Sequence, residues 1–147
     1  MIKFLRLVVL VLCVFGANTI VSADNAAETE AVCAESFDWE PVMKAIVQVE
    51  SGGNVKAVSG NSCGAMQITP ILVVECNNIL KKRRSKKRYS LADRFSLNKS
   101  KEMFMLIQSY YNPCNDVEKA IRSWNGGMHY SVKRTQRYFE KVMSHLR

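Results

Sequence analysis

The pattern of apolar and polar positions along the chain predicts helices joined by short polar loops. In five segments, apolar residues recur at the i, i+3, i+4 spacing of an amphipathic α-helix. These segments are residues 41–50, 70–79, 97–111, 117–124 and 131–146. No segment alternates apolar and polar residues well enough to indicate a strand. The sequence therefore predicts an all-α or α-dominated domain.

Residues that favour helix ends stand at the limits of these segments. Pro41 and Pro70 suit first helical positions, and Thr69 and Asp116 suit the N-cap positions before their helices. The sequence Ser51-Gly52-Gly53-Asn54 ends the first predicted helix. It also opens a loop, rich in glycine and serine, that continues to the second predicted helix.

One acidic residue lies on the apolar face of the first predicted helix. Met43, Ile46, Val47 and Glu50 follow one another at i, i+3, i+4, i+7 spacing. Burial disfavours the ionised form of a carboxyl group, so we expect Glu50 to have a raised pKa and to serve as a general acid. The alternative is a solvated glutamate at a helix C-terminus.

The first 23 residues have the three parts of a secretory signal peptide. Two basic residues occur in the first six, residues 7–17 are apolar, and Val21-Ser22-Ala23 offers small residues for cleavage. An uncleaved membrane anchor is the alternative, but this apolar stretch is shorter than the roughly 20 residues that span a bilayer. We therefore expect an exported protein, with a flexible lead-in at 24–36 and one domain at 37–147.

The cysteine pattern fits an exported domain. After removal of the signal peptide the cysteines are Cys33, Cys63, Cys76 and Cys114. An even number in a small exported domain predicts disulfides, and the sequence leaves three connectivities open. No two of these cysteines have the short spacing of a zinc site, so no metal is expected.

The positive charge is concentrated in one short segment. The chain has 21 Lys+Arg and 13 Asp+Glu, a net charge of +8, and residues 24–147 alone have a net charge of +6. One stretch alone carries seven positive charges, which is more than the net charge of residues 24–147. We call it the basic segment, and it consists of Lys81, Lys82, Arg83, Arg84, Lys86, Lys87 and Arg88. We expect it to bind an anionic polymer, a membrane surface or an acidic partner, and we expect no nucleic acid because the protein is exported.

Several short motifs occur in separated parts of the chain. The first are Glu50-Ser51-Gly52-Gly53-Asn54, Ala57-Val58-Ser59 and Gly64-Ala65-Met66-Gln67-Ile68-Thr69-Pro70. Later ones are Ala-Ile-Arg-Ser-Trp-Asn-Gly-Gly at 120–127 and the set Thr135, Tyr138, Lys141 and Val142. In this order they resemble the motifs of lytic transglycosylases of the soluble (SLT) type, which have a lysozyme-like fold. Several ordered matches are more specific than any one of them.

The resemblance implies that the protein cleaves the β-1,4 bond between N-acetylmuramic acid and N-acetylglucosamine in peptidoglycan. Glu50 matches the family's catalytic glutamate, which protonates the glycosidic oxygen and then acts as a base. The 6-hydroxyl of the muramic acid attacks in place of water and leaves a 1,6-anhydro product, without the second carboxylate of most glycosidases. Glu75 and Asp93 are expected to be surface or helix-cap charges, and their spacing leaves a second catalytic carboxylate as the alternative.

The resemblance also implies a set of substrate-binding residues. Polar groups come from Ser59, Gln67 and Asn125, Met66 and Trp124 line the sugar site, and the Tyr138 hydroxyl reaches Glu50. For Met66 and Trp124, packing in the core is the alternative interpretation. No cofactor is expected.

The chain also departs from the family pattern. Trp124 stands where the family has a tyrosine, and Val55 stands where a proline is common. Cys63 and Cys76 flank the segment that carries Gln67, and a disulfide between them is a hypothesis that would make this loop rigid.

The sequence leaves other functions open. A muramidase of the same fold would add water to the cleaved bond, and a noncatalytic component would bind glycan without cleaving it. The basic segment also fits a cationic protein that acts at membranes. The resemblance also implies a possible partner, because small exported transglycosylases serve secretion and conjugation machines by opening the cell wall. With the signal peptide, it gives the periplasm or cell envelope of a bacterium as the expected location.

Overall fold

Five α-helices make up most of residues 37–146, the part of the chain that the computed structural model describes. In chain order they are α1 (Glu40–Ser51), α2 (Pro70–Lys82), α3 (Leu97–Tyr111), α4 (Val117–Gly126) and α5 (Val132–Ser144). All five predicted helices are present, and the α-dominated fold class is confirmed. The signal peptide and the lead-in lie outside the described residues.

The helix ends are fixed by the residues that the sequence pointed to. The Thr69 hydroxyl accepts a hydrogen bond from the Leu72 amide at 3.2 Å and begins α2. In the same way, the Asp116 carboxylate accepts one from the Lys119 amide at 3.0 Å and begins α4. These bonds satisfy amide groups that have no partner within the helix.

A chain of aromatic rings links the start of α1, α3 and α4 in the core. Trp39, just before α1, packs on Phe104 of α3 with 5.6 Å between ring centroids, and Phe104 packs on Trp124 of α4 at 5.2 Å. Both distances are typical of favourable aromatic pairs. Around them, α1 packs against α4 and α5, and α3 packs against α2.

Two small elements were not predicted. An antiparallel hairpin pairs β1 (Val58–Ser59) with β2 (Ser62–Cys63), and a 3-10 helix covers Leu91–Phe95. At the start of the 3-10 helix, the Asp93 carboxylate accepts hydrogen bonds from the amide and hydroxyl of Ser90. Strands of two residues are too short to show alternation, which explains why the pattern missed them.

The hypothesis of a disulfide between Cys63 and Cys76 is wrong. Both are buried free thiols. Cys63 lies in β2, whereas the Cys76 thiol of α2 contacts the Met103 carbonyl oxygen of α3 at 3.8 Å. Burial raises the pKa of Cys76 to about 12, so this thiol stays protonated and unreactive. Cys33 lies outside the described residues, and its pairing stays a prediction.

The described part of the chain contains no helix that is long and apolar enough to cross a membrane. Between residues 37 and 146, no three His, Cys, Asp or Glu side chains come together as metal ligands.

Candidate active site

Glu50 occupies the last turn of α1, where the chain leaves the core. The helix ends at Gly52, whose φ of 61° is the left-handed conformation that glycine adopts at little cost. The same helix buries Val42, Met43, Ala45, Ile46 and Val47. The Glu50 side chain is therefore held partly inside the protein and partly at its surface.

Tyr138 of α5 meets this carboxyl group. Its hydroxyl donates a hydrogen bond to Glu50 Oε1 at 2.7 Å. The two residues are 88 positions apart in the chain, and they meet because α1 packs against α5. The contact that the resemblance implied is thus present in the structure.

The environment of Glu50 affects its pKa in two opposite directions. Burial raises the pKa above the ordinary value of a glutamate, and the hydrogen bond from Tyr138 lowers it by a smaller amount. The pKa of Tyr138 is strongly raised, first by burial and then by the nearby Glu50 charge. The phenol therefore stays protonated and can only donate to the carboxylate, while Glu50 retains a proton to higher pH than a solvated glutamate.

The loop that carries Gln67 is tied to the end of α1. The hydroxyl of Ser51, the residue after Glu50, donates to the Ala65 carbonyl oxygen at 2.8 Å. The Gln67 side-chain nitrogen donates to the carbonyl oxygens of Gly64 at 2.9 Å and of Ala57 at 3.4 Å. Among the described residues nothing donates to the Gln67 side-chain oxygen, so it is available to accept a hydrogen bond from a substrate.

Gly64 allows this loop to pack closely against the 3-10 helix. A Cβ atom at this position would lie 1.8 Å from the Arg94 carbonyl oxygen, and φ is 77°. The Arg94 side chain in turn donates to the carbonyl oxygens of Asn61 at 3.0 Å and Ile68 at 3.4 Å. The 3-10 helix thus holds the loop from the side, a role for Arg94 that no sequence motif indicated.

Trp124 connects the loop to a cavity between α2, α3 and α4. Its indole N–H donates to the Met66 carbonyl oxygen at 3.2 Å. The cavity, about 330 Å³ in volume, is bounded by Leu72 and Glu75 of α2, Ile107 and Tyr111 of α3, and Trp124 and Asn125 of α4. We call it the Trp124 cavity. Trp124 therefore both packs in the core and lines a cavity, so neither interpretation excludes the other.

The other predicted binding residues fall into two groups. Ser59 in β1 and Asn125 at the end of α4 are exposed and open to a ligand. Met66 is fully buried, and its carbonyl oxygen is already bound by Trp124. The expectation that the Met66 side chain lines the sugar site is therefore corrected. It packs in the core beneath the loop, where an unbranched apolar side chain fills the space.

Arg122 is a structural residue that sequence reasoning missed. Its guanidinium is buried and donates to Glu118 at 2.6 Å, to the Val132 carbonyl oxygen at 3.1 Å and to Gln136 at 2.8 Å. It also lies over the Phe139 ring, 4.3 Å from the centroid. These contacts join α4, which carries Trp124, to α5, which carries Tyr138.

Neither of the other two acidic residues that were considered contacts Glu50. Asp93 binds Ser90 at the start of the 3-10 helix. Glu75 lies in the Trp124 cavity, where its carboxylate accepts a hydrogen bond from the Tyr111 hydroxyl at 2.5 Å.

A family model described as the transglycosylase SLT domain matches residues 29–145. The chain belongs to this family. No curated protein and no solved structure shows significant similarity to this chain. Membership supports a glycan-cleaving function of the transglycosylase type and the binding of peptidoglycan. Within this SLT domain, the geometry brings Glu50, Tyr138 and the Gln67 loop together at the end of α1.

Proposed function

We propose that this protein is an exported lytic transglycosylase that cleaves the MurNAc–GlcNAc β-1,4 bond and leaves a 1,6-anhydromuramic end. The observation that carries the proposal is the environment of Glu50. Its carboxyl group is partly buried, has a raised pKa and is held by the protonated Tyr138 phenol. Such a group keeps its proton to a higher pH than a solvated glutamate does, and it can donate that proton as a general acid.

The reaction needs one acid and base group. Protonated Glu50 gives its proton to the glycosidic oxygen as the bond from that oxygen to C1 of the muramic acid breaks. The resulting carboxylate then takes the proton of the 6-hydroxyl as O6 bonds to C1. Glu50 ends the cycle protonated again, and no water is consumed. In this scheme Glu50 supplies both the acid and the base, so it differs from a two-carboxylate mechanism.

The surrounding residues would position the glycan. The Gln67 side-chain oxygen can accept from a sugar amide or hydroxyl, and the exposed Asn125 can both donate and accept. Both are held by the protein before substrate arrives, Gln67 through its bonds to the loop and Asn125 through α4. Preorganised polar groups of this kind reduce the cost of reaching the transition state.

The proposal is tested by measuring soluble fragments released from purified peptidoglycan. Glu50→Gln keeps the shape and the Tyr138 contact but removes the transferable proton. We expect at least an about hundredfold loss of release rate. Glu140→Gln is the matched control, because Glu140 is exposed on α5, where its carboxylate accepts a hydrogen bond from Gln136. Full activity of folded Glu50→Gln would rule out the assigned role. No release by folded wild type would favour a noncatalytic glycan-binding component.

The basic segment is proposed to be a tether, not a catalytic element. All seven of its basic side chains are exposed. Among the described residues, Lys87 is the one that pairs with a carboxylate, at 2.5 Å from Glu102. Lys82 and Arg83 lie over the Tyr110 ring instead. The unpaired charge is therefore free to bind an anionic wall polymer, a membrane surface or an acidic partner of a secretion machine.

A further inference from the structure

The Trp124 cavity adjoins the proposed active site but contains groups that the cleavage reaction does not use. Trp124 and Asn125 belong to both, because the Trp124 indole holds the Met66 carbonyl oxygen next to Gln67. Glu75 and Tyr111 lie in the cavity and have no contact with Glu50. A glycan bound at Glu50 would therefore have this cavity beside it.

Glu75 places an oriented negative charge in the cavity. The Tyr111 hydroxyl donates to Oε1 at 2.5 Å, and the Asn78 amide donates weakly to Oε2 at 3.4 Å. The bond to Glu75 is the main reason that the pKa of Tyr111 is raised to about 12. The phenol thus remains a donor at neutral pH and fixes one carboxylate oxygen.

No lysine or arginine among the described residues forms a salt bridge with this carboxylate. Throughout residues 37–146, no lysine or arginine nitrogen lies within 4.0 Å of Glu75. Lys82 of α2 is close enough for the Glu75 charge to raise its pKa, but its ammonium group donates to the Tyr110 hydroxyl at 3.1 Å. A partly buried carboxylate without a direct salt bridge leaves a place for a cationic ligand.

The rest of the cavity fits an ammonium group on an aliphatic stem. The aromatic side chains of Trp124 and Tyr111 line the cavity, and aromatic rings can attract cations. The rim includes two exposed apolar side chains, Ile71 at 80% and Met128 at 36% exposure. A volume of about 330 Å³ is at the small end of ligand pockets, so it suits a side branch better than a stretch of polymer.

We propose that the Trp124 cavity is a subsite for a primary ammonium group on the peptide branch of the glycan, with Glu75 as its counter-ion. This inference rests on the proposed function, since it assumes that the branched glycan lies along Glu50. It makes the protein selective for strands whose peptide branches carry a free side-chain amine.

The test compares three forms of one glycan preparation in which the peptide branches carry a lysine-type amine. One form is untreated. The second is N-acetylated, which removes the positive charge of the amine. The third is reductively dimethylated, which adds bulk to the amine but keeps its positive charge. For each form we would measure kcat/KM with wild type, Glu75→Gln and the control Glu140→Gln. The two substitutions remove the same charge from different places.

We expect wild type and Glu140→Gln to prefer the untreated and dimethylated strands over the acetylated strands by about tenfold. In Glu75→Gln this ratio should fall towards one. A ratio in Glu75→Gln equal to that of wild type would overturn the proposal, and so would a wild type that does not distinguish the charged from the acetylated form.

A binding measurement separates failure of this inference from failure of the proposed function. Calorimetry with Glu50→Gln and with Glu50→Gln/Glu75→Gln would use a soluble disaccharide peptide bearing the amine, and its acetylated form. The inference predicts tighter binding of the amine form by the single variant alone, whether or not the wild type cleaves glycan. Equal binding of both forms by the single variant would contradict it.

Discussion

At the scale of single residues, the proposed chemistry depends on how the protein sets the proton affinity of one carboxyl group. Burial raises the pKa of Glu50, and the Tyr138 hydrogen bond partly offsets this effect. Since a general acid must be protonated, activity should be lost as the pH rises through the pKa of Glu50. Tyr138 therefore lowers the upper pH limit at which Glu50 is protonated and active, and it also fixes the orientation of the Glu50 carboxyl group.

Replacing Tyr138 tests how burial and the hydrogen bond together set the pKa of Glu50. Tyr138→Phe removes the bond that favours the ionised carboxylate, so the pKa of Glu50 should rise further. The alkaline limb of the kcat/KM profile should then move to higher pH. Tyr110→Phe is the control, because Tyr110 contacts Lys82 and lies away from Glu50. A shift of the limb to lower pH in Tyr138→Phe would contradict the account.

Much of the site was predictable at this scale, but not all of it. Glu50 could be predicted from its position on an apolar helix face together with the family motif that it opens, and Tyr138 from the resemblance of its own motif. The burial of Met66 and the pairing of Glu75 with Tyr111 depend on how separate helices pack. Because those contacts join residues far apart in the chain, no local pattern contains them.

At the scale of elements, the loop between α1 and α2 is held by its close contact with the 3-10 helix. The pattern predicted the helices well, because apolar spacing and capping residues are local signals. It could not predict that the 3-10 helix would form or that Arg94 would clamp the loop. The sequence showed Gly64 only as part of a motif. The structure shows why a glycine is needed there, because a Cβ atom would collide with the Arg94 carbonyl oxygen.

Two glycine substitutions test this packing. Gly64→Ala places a methyl group against the Arg94 carbonyl oxygen at a positive φ. It should lower the free energy of unfolding by about 2 kcal/mol or more. Gly60→Ala also has a positive φ but no atom within 4 Å of the new methyl group, so it should cost about 1 kcal/mol. Equal losses in urea unfolding would show that the close contact is unimportant.

The junction of α4 and α5 makes a second prediction at this scale. Arg122→Lys keeps the charge but loses the fork of donors that reaches Val132 and Gln136. We expect a loss of about 2 kcal/mol in the free energy of unfolding, because the acceptors around this buried side chain lose their partners. Arg134→Lys, on the exposed side of α5, should cost less than about 0.5 kcal/mol. Similar thermal stability of the two variants would refute the role given to Arg122.

At the scale of the whole molecule, chemistry and attachment are assigned to different residues. The active site uses α1, its following loop, α4 and α5, whereas the basic segment covers the end of α2 and the residues after it. Most of the excess positive charge lies in that one segment. Electrostatic attachment should therefore weaken with salt without changing the chemical step.

Removing positive charges either from the basic segment or from α5 tests whether the basic segment attaches the protein. The exposed side chains of Lys81, Arg84 and Lys86 form no hydrogen bond or salt bridge with the described residues, so their replacement by glutamine should not disturb the fold. We expect weaker, less salt-dependent binding to sacculi. The control replaces Lys133, Arg134 and Arg137, which are equally exposed on α5. An equal loss of binding in both variants would mean that net charge, and not the basic segment, controls attachment.

The central claim is that Glu50 alone directs an intramolecular attack by the 6-hydroxyl. Mass spectrometry of the fragments released from purified peptidoglycan tests it most directly, since hydrolysis adds one water to each new muramic end and the intramolecular reaction adds none. Wild type should release anhydromuramic ends, and these should disappear with Glu50→Gln. Hydrated reducing ends from wild type would contradict the account and identify a muramidase.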